Sequence, residues 1–559
     1  MAFVTWLSSF VHSVFAFIVI LVPLVIFHEF GHFVFARLFG VKAEIFSVGM
    51  GPKIWSRKWG ETDFRLSAVP IGGYVKLLGE DQDSQEAPLS EAELKRALHK
   101  QKPWKRFFIF FGGPLFNFIL AVFIFMVILV VGEPQVSSHI GRVVQGSMAE
   151  KAGFQSGDDI LKISGQAVQK FDEVAQILNE NPNQKLIFTV RHPQSTESTE
   201  IEVETSSQPG LSSYGESTAV GDLSGLLAFP RGNQVGVSNP NSQAAVLGLQ
   251  TGDQIIQVNQ QKLKNWEELE SMYRQLSPRQ SLQLEVKSGR VSEAQTGLKA
   301  VELMKPENSQ GLEVDFGLYS SELFVERPVA GSPAEAAGIQ SGDRITAVAG
   351  QTVHSFFELK SAVQKGGETQ GTVSLQWERM GKQYEVVIRP SVTQGRDPLL
   401  NQTTSYTVGV MPMLVFAEPV TYIERVFNPL TLVIRATERM VSFSWKNLVL
   451  LKKMVTGQVS VGNLGGPILM GKIAGESLSR GLIAFLTNMA IFSVGLGVLN
   501  ILPIPALDGG HLLLLGVEAI RGKPLSLSQR EIIQGVGIFM ILALMGVAFK
   551  NDIARLFYL

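Results

Sequence analysis

The chain has 559 residues, 45% of them apolar and only 18% charged, with a formal net charge of −1. That balance removes the electrostatic case for nucleic acid as a partner, and the absence of cysteine excludes disulfides, thiol nucleophiles and cysteine-ligated metal sites. A mean hydropathy of +0.17 is high for a soluble protein. The excess is clustered: residues 7–27, 107–131, 482–502 and 532–549 are almost free of charge. Each is close to the roughly 17–25 residues that cross a bilayer core. The composition predicts a polytopic α-helical membrane protein with four transmembrane helices and the lipid bilayer as a partner.

No lysine or arginine precedes the first apolar segment, and the first positive charge is Arg37. A secretory leader has the reverse pattern, so residues 1–38 read as a retained transmembrane helix. It carries His-Glu-Phe-Gly-His at positions 28–32. On a helix, the i, i+4 spacing puts His28 and His32 on one face, one turn apart, where they can grip a single zinc ion. Glu29 then lies beside the metal without ligating it, which suits a general base acting on water. Ionisable residues in a membrane helix are costly and are functional by default.

Residues 39–106 are rich in lysine and arginine, whereas residues 1–8 have none. The positive-inside rule puts the amino terminus outside and this loop in the cytoplasm. Within the loop, 46–59 and 63–78 read as strand pairs punctuated by glycine, that is, membrane-associated β-hairpins. The acidic run from Glu80 reads as a solvated linker, and Ser90 with Glu93 fits a capping box opening a short helix. A second transmembrane helix over 107–132 returns the chain to the outside.

The long middle region contains an internal repeat. GSMAEKAGFQSGDDILKISG from Gly146, NSQAAVLGLQTGDQIIQVNQ from Asn241 and GSPAEAAGIQSGDRITAVAG from Gly331 are spaced by 95 and 90 residues. Each unit is therefore domain-sized, with a small-residue helix start, a Gly-Asp turn, a strand, a helix and a further strand. Each closes on an apolar-Gly-apolar run around Gly225, Gly317 or Gly409. This order resembles the PDZ domain in its circularly permuted bacterial form, giving three α+β units at 136–229, 230–321 and 322–413. The resemblance implies a groove that accepts a peptide or chain end by strand addition. Any one unit reads equally well as a spacer without a ligand.

Residues 419–457 are apolar but too charged to span, and read as an amphipathic helix on the outer membrane surface. A third transmembrane helix is expected over 480–520 and a fourth over 532–550; Lys550 and Arg555 at the outer end run against that orientation. Asn500 to His511 reads NILPIPALDGGH. Pro503 and Pro505 break the helix, which a membrane tolerates only beside a cavity or within protein. Asp508, inside this apolar stretch, calls for a cation. Two histidines and a carboxylate leave a fourth zinc position open, as hydrolytic sites do. His511 is a rival ligand.

HEFGH at 28–32 and NILPIPALDGG from Asn500, with PDZ-like units between, resemble the site-2 protease family of intramembrane zinc metalloproteases. GMGPKIW from Gly49, PIGGYVKLLGE from Pro70, GGPLFNF from Gly112, KMVTGQVSVGNLGGPI from Lys453 and FKNDIARL from Phe549 are similar to its bacterial RseP-type branch, the regulators of sigma-E. The likeness covers essentially the whole chain. It implies Zn2+ on His28, His32 and Asp508, water activated by Glu29, and substrate presented by Asn500, Pro503 and Pro505. It also implies a bacterial inner-membrane protein with periplasmic PDZ-like domains and an active site near the cytoplasmic side. Implied substrates are single-pass membrane proteins of the anti-sigma factor type after prior trimming, together with remnant signal peptides. Two departures stand out. Three PDZ-like units occur where RseP-type proteins commonly have two, and Gly495 stands where they often carry asparagine. The alternative is a membrane-anchored PDZ scaffold with an inactive metal site. A transporter would explain the broken helix and its carboxylate, but neither HEFGH nor the repeats.

Overall fold

A computed structural model describes residues 2–80, 90–211, 217–289, 297–396, 402–457, 462, 464–523 and 525–558. Most of the acidic linker after Glu80 and part of the run from Lys453 lie outside the described residues. The chain forms two compact bodies, Met1–Glu133 with Ile423–Leu559, and Pro134–Tyr422.

The first body is built on helices α1 (Ala2–Leu38), α2 (Pro103–Val131), α3 (Pro429–Val455), α4 (Pro467–Arg480), α5 (Leu482–Ile501), α6 (Asp508–Arg521) and α7 (Leu527–Tyr558). Among the described residues, four helices are long and apolar enough to cross a membrane: Val11–Leu38 of α1, α2, α5, and Ser528–Ala554 of α7. The second begins at Pro103, ahead of the expected 107, because proline suits the first helical turn. The expected third span at 480–520 is two helices. α5 stops at Ile501 because neither Pro503 nor Pro505 can donate to the helical ladder, and α6 restarts at Asp508. The expected surface helix at 419–457 opens instead as a strand, Thr421–Glu424. It turns helical at Pro429, where Asn428 Oδ1 accepts the N–H groups of Leu430 and Thr431 at 3.0 and 3.2 Å. Sequence reading did not identify α4. Its first N–H groups, from Gly466, Ile468 and Leu469, donate at 2.9–3.1 Å to the buried Asp552 of α7, a cap supplied from far along the chain.

α2 is the centre of this body, packed against α1, α3, α5 and α6. Its Leu120, Ile124, Phe125 and Ile128 bury against Ala16, Ile20 and Leu24 of α1 and Phe485, Val494 and Val498 of α5.

Between α1 and α2 run β1 (Ala43–Trp59) and β2 (Thr62–Leu77). They are not two separate hairpins. Residues 43–48 pair on one side with 73–77 and on the other with 63–66, while 53–59 pair with 62–67. Each long strand therefore folds across itself at glycines with positive φ (Gly49, Gly51 and Gly72), and the segment order is 53–59, 62–67, 43–48, 73–77. Among the described residues, segment 73–77 pairs with no other strand and is an open edge. Ile54, Trp55 and Trp59 are exposed, as a sheet that meets lipid requires.

The second body holds three units of one design. Each has a four-stranded antiparallel sheet in the same strand order, centred on Asp159–Ile163, Gln254–Val258 or Arg344–Val348. Each has one main helix, Phe171–Glu180, Trp266–Gln275 or Phe356–Gln370, and its own apolar cluster. The closing glycines Gly225, Gly317 and Gly409 have φ of +88°, +66° and +80°. A Cβ on them would fall 2.2–2.6 Å from the Cβ of Ser147, Ser242 and Ser332. Those serines cap the short helix that opens each unit, so the repeated glycine and the repeated serine are one packing device.

Buried charges join the three units. Arg142 of the first unit meets Glu322 at 2.7 Å and Glu267 at 3.9 Å; Arg231 meets Glu267 at 2.7 Å and Glu270 at 3.0 Å. Glu322 also accepts the Phe356 N–H of the third unit at 3.0 Å. Burial and then the neighbouring Arg231 cation pull Arg142 below the ordinary guanidinium pKa. Burial opposes the charge on Arg231 as well, but Glu270 and Glu267 outweigh it and hold Arg231 above its ordinary value. Removing Arg142 alone leaves Glu322 buried without its ion pair, which costs about 3–5 kcal/mol. Chemical denaturation of the full-length Arg142→Ala variant is expected to show that loss, and Arg142→Met with Glu322→Met is expected to recover most of it.

Candidate metal centre

The centre is assembled where α1, α2 and the break between α5 and α6 meet. His28 and His32 project from one face of α1 as their spacing requires, with their Nε2 atoms 3.2 Å apart. Asp508 opens α6 and reaches both, Oδ2 to His28 Nε2 at 3.1 Å and Oδ1 to His32 Nε2 at 3.4 Å. The three side chains are only 11–16% exposed.

Asp508 is aimed by the chain's fold-back after α5. Ala506 takes φ +77°, and Gly509 and Gly510 let α6 start directly against the preceding carbonyls. A Cβ on Gly509 would lie 2.1 Å from Leu502 O, and one on Gly510 2.5 Å from Ile504 O. Pro503 and Pro505 lie in this fold-back, while Asn500 in the last turn of α5 places Nδ2 at 3.4 and 3.5 Å from the two ring nitrogens of His28.

α2 supplies what sequence reading missed. The Gly112–Gly113 pair faces α1 at its point of closest approach. A Cβ on Gly113 would sit 2.4 Å from His32 Nε2 and 2.6 Å from His28 Cε1. His32 Nδ1 donates to the Ile109 carbonyl at 2.8 Å, which leaves Nε2 with a free lone pair. The Asn117 amide lies at the far ring nitrogen of His28. The run GGPLFNF from Gly112 is the signal of this in the sequence, without a role attached to it there. β2 supplies the other neighbour. Gly73 lies against Glu29, its Cβ position 3.2 Å from Glu29 Cγ.

The donor set fits zinc. Tetrahedral bonds of about 2.0–2.1 Å keep ligand atoms about 3.3 Å apart, and these nitrogens and oxygens stand 3.1–3.4 Å apart. No hydrogen-bond donor reaches the buried Asp508 Oδ2, an orphan that a cation would satisfy. His511 is outside the cluster, stacked on Phe110 with ring centroids 4.6 Å apart. Among the described residues, the metal-capable group is His28, His32 and Asp508.

The sequence pattern of peptidase family M50 matches residues 16–544. The chain belongs to peptidase family M50. A relative from Neisseria meningitidis named as a zinc metalloprotease is 31% identical over 98% of this chain and 99% of its own length. The regulator of sigma E protease of Haemophilus influenzae is 29% identical over 98% of this chain and 100% of its own. The regulator of sigma-E protease of Escherichia coli is 26% identical over the same shares. A solved PDZ domain protein from Parabacteroides distasonis covers 49% of this chain at 13% identity, but its TM-score of 0.12 carries no fold argument.

Membership in M50, the site-2 protease family, makes the chain a zinc metalloprotease rather than a scaffold. The M50 centre here depends on Gly113 as much as on any polar residue, because a methyl group at that position would occupy the space the two imidazoles need. Gly113→Ala is expected to hold about a tenth or less of the wild-type zinc, measured by elemental analysis of purified protein.

Proposed function

We propose that this M50 protease hydrolyses peptide bonds within transmembrane segments of single-pass membrane proteins, with zinc on His28, His32 and Asp508. The observation that carries this reading is the convergence of three ligand atoms, 3.1–3.4 Å apart, among helices long and apolar enough to span a membrane. Glu29 and an open strand edge lie beside them.

A substrate helix hides its peptide bonds in its own hydrogen-bond ladder and must be unwound locally before it can be cut. Segment 73–77 offers the unwound stretch an unpaired edge, so that main-chain pairing replaces the lost helical bonds. Asn500 and the stretch broken by Pro503 and Pro505 offer further amide and carbonyl partners beside His28. Bound zinc supplies Lewis acidity that brings the pKa of water to about 7. Glu29 takes the proton from the attacking water and delivers it to the leaving amine.

The relatives named as regulators of sigma-E protease support an anti-sigma factor type of substrate, cut after its outer domain has been trimmed, with remnant signal peptides as a second source. The three repeated units of 136–229, 230–321 and 322–413 are read as PDZ-like domains that bind a chain end or exclude untrimmed substrate. The basic loop after α1 supports an inner-membrane protein with these units on the periplasmic side and the zinc site near the cytoplasmic side.

The test is cleavage of a single-span substrate with a short ectodomain by the purified full chain in detergent, with zinc assayed in parallel. Glu29→Gln is expected to keep wild-type zinc and lose at least about a hundredfold in turnover. Loss of zinc with turnover would remove Glu29 from the general-base role. Val75→Pro takes one N–H from the open edge. It is expected to keep zinc and slow cleavage at least about fivefold, the worth of one main-chain hydrogen bond of about 1 kcal/mol. Unchanged cleavage would remove strand addition at 73–77 from the mechanism.

A further inference from the structure

The two histidines of the centre differ in what holds their far ring nitrogens. His32 has a fixed arrangement, with Nδ1 donating to the Ile109 carbonyl at 2.8 Å and Nε2 turned to Asp508. His28 turns Nε2 to Asp508 at 3.1 Å in the same way, but its Nδ1 faces a side chain, the amide of Asn117, at 3.1 Å. A neutral imidazole that gives Nε2 to a metal carries its proton on Nδ1, and that proton needs an acceptor.

Asn117 is placed to be that acceptor. It lies one helical turn beyond Gly113 on the same face of α2 and is completely buried. Its backbone carbonyl accepts the buried Ser493 hydroxyl of α5 at 2.8 Å, which pins this turn of α2 against α5. With the amide nitrogen toward His28, Nδ1 would have to be an acceptor. The proton would then sit on Nε2, where the metal must bind, and Asn117 Oδ1 would stay buried with no partner. The amide has two orientations of almost identical shape. Turning it over aims Oδ1 at Nδ1–H, which satisfies the orphaned oxygen and frees Nε2 in one move. Asn500, at 3.4 and 3.5 Å from both ring nitrogens, is too distant and too evenly shared to do this.

We propose that Asn117 is the positioning residue for His28, its amide oxygen accepting from Nδ1–H so that Nε2 presents its lone pair to zinc. Asn117 thus does for His28 what the Ile109 carbonyl does for His32. It acts through the ligand and touches neither substrate nor the reacting atoms. The inference rests on the zinc assignment proposed above.

The experiment measures zinc affinity of the full-length protein in detergent by competition with a chelator, for wild type, Asn117→Leu and Asn117→Asp. Thermal unfolding of the zinc-free forms reports whether each variant folds. Leucine keeps the shape and has no acceptor, so Asn117→Leu is expected to bind zinc about 10–100-fold more weakly. Aspartate keeps an acceptor, so Asn117→Asp is expected to stay within about threefold of wild type or bind more tightly. If Asn117 instead donates to His28, the aspartate would set two lone pairs face to face, and Asn117→Asp would lose tenfold or more. That loss overturns the proposal even if the leucine variant fails to fold. A folded Asn117→Leu with wild-type affinity overturns it as well. A wild type that binds no zinc would overturn the ligand assignment and this inference together, whereas the other failures leave the ligand assignment standing.

Discussion

Every polar group placed among apolar helices must find its partner inside the protein, and the helical body is organised around that requirement. His28, His32 and Asp508 turn their donor atoms toward one point, and two of those residues direct a second polar atom into α2. α2 meets the demand with two kinds of residue. Gly112 and Gly113 remove side chains where the imidazoles and α1 need space, and the Ile109 carbonyl and Asn117 amide return polar partners one turn to either side. The break after α5 follows the same rule. Its freed backbone is covered by the start of α6, which only Gly509 and Gly510 allow to approach so closely.

A hydrolytic site in such surroundings also needs a substrate whose backbone is accessible. The sheet of residues 43–77 has two open edges, 53–59 and 73–77, and 73–77 is the one that brings backbone donors and acceptors to the side of Glu29. Gly73 is again what permits the contact, with its Cβ position hemmed in by Ser47 O, Val25 and Glu29. The strand that would pair with substrate also lies against Glu29, so substrate engagement and the placement of Glu29 share one strand.

The second body shows a different use of buried charge. Asp158, Asp253 and Asp343 are each buried, each accept the N–H of the glutamine three residues earlier, and each meet a nitrogen-bearing side chain: His192, Lys299 or Arg379. That arrangement closes a turn within every unit. Arg142 meets Glu267 and Glu322 of the other two units instead, all three buried, with Arg231 paired to Glu267 beside them. Ion pairs so deeply desolvated add little net stability, but they strongly disfavour any arrangement that separates them.

Much of this was legible in the residues. Helical periodicity alone puts His28 and His32 on one face, low charge over twenty or so residues marks the spans, and a recurrent Gly-Asp turn reveals three units of one design. These are local properties, set by the geometry of a helix, a turn or a bilayer. Sequence could also say that Asp508 needed a cation, because a carboxylate in an apolar stretch is costly wherever it lies. It preferred Asp508 to His511 on ligand chemistry and the family resemblance, without the fold-back of α6 on α5 that leaves His511 stacked on Phe110. It could not identify α4, whose cap is Asp552 from the far end of the chain, or show that 73–77 is the open edge beside Glu29. Gly113 and Asn117 lie in GGPLFNF, a run that sequence comparison marks but that has no role until α1 is packed against it. Ligand type and spacing were determined by sequence, because they follow from covalent geometry and helix pitch. The packing that leaves room for His28, His32 and Asp508 and sets polar partners at their far atoms was decided only by tertiary structure, because those contacts join residues that nothing local brings together.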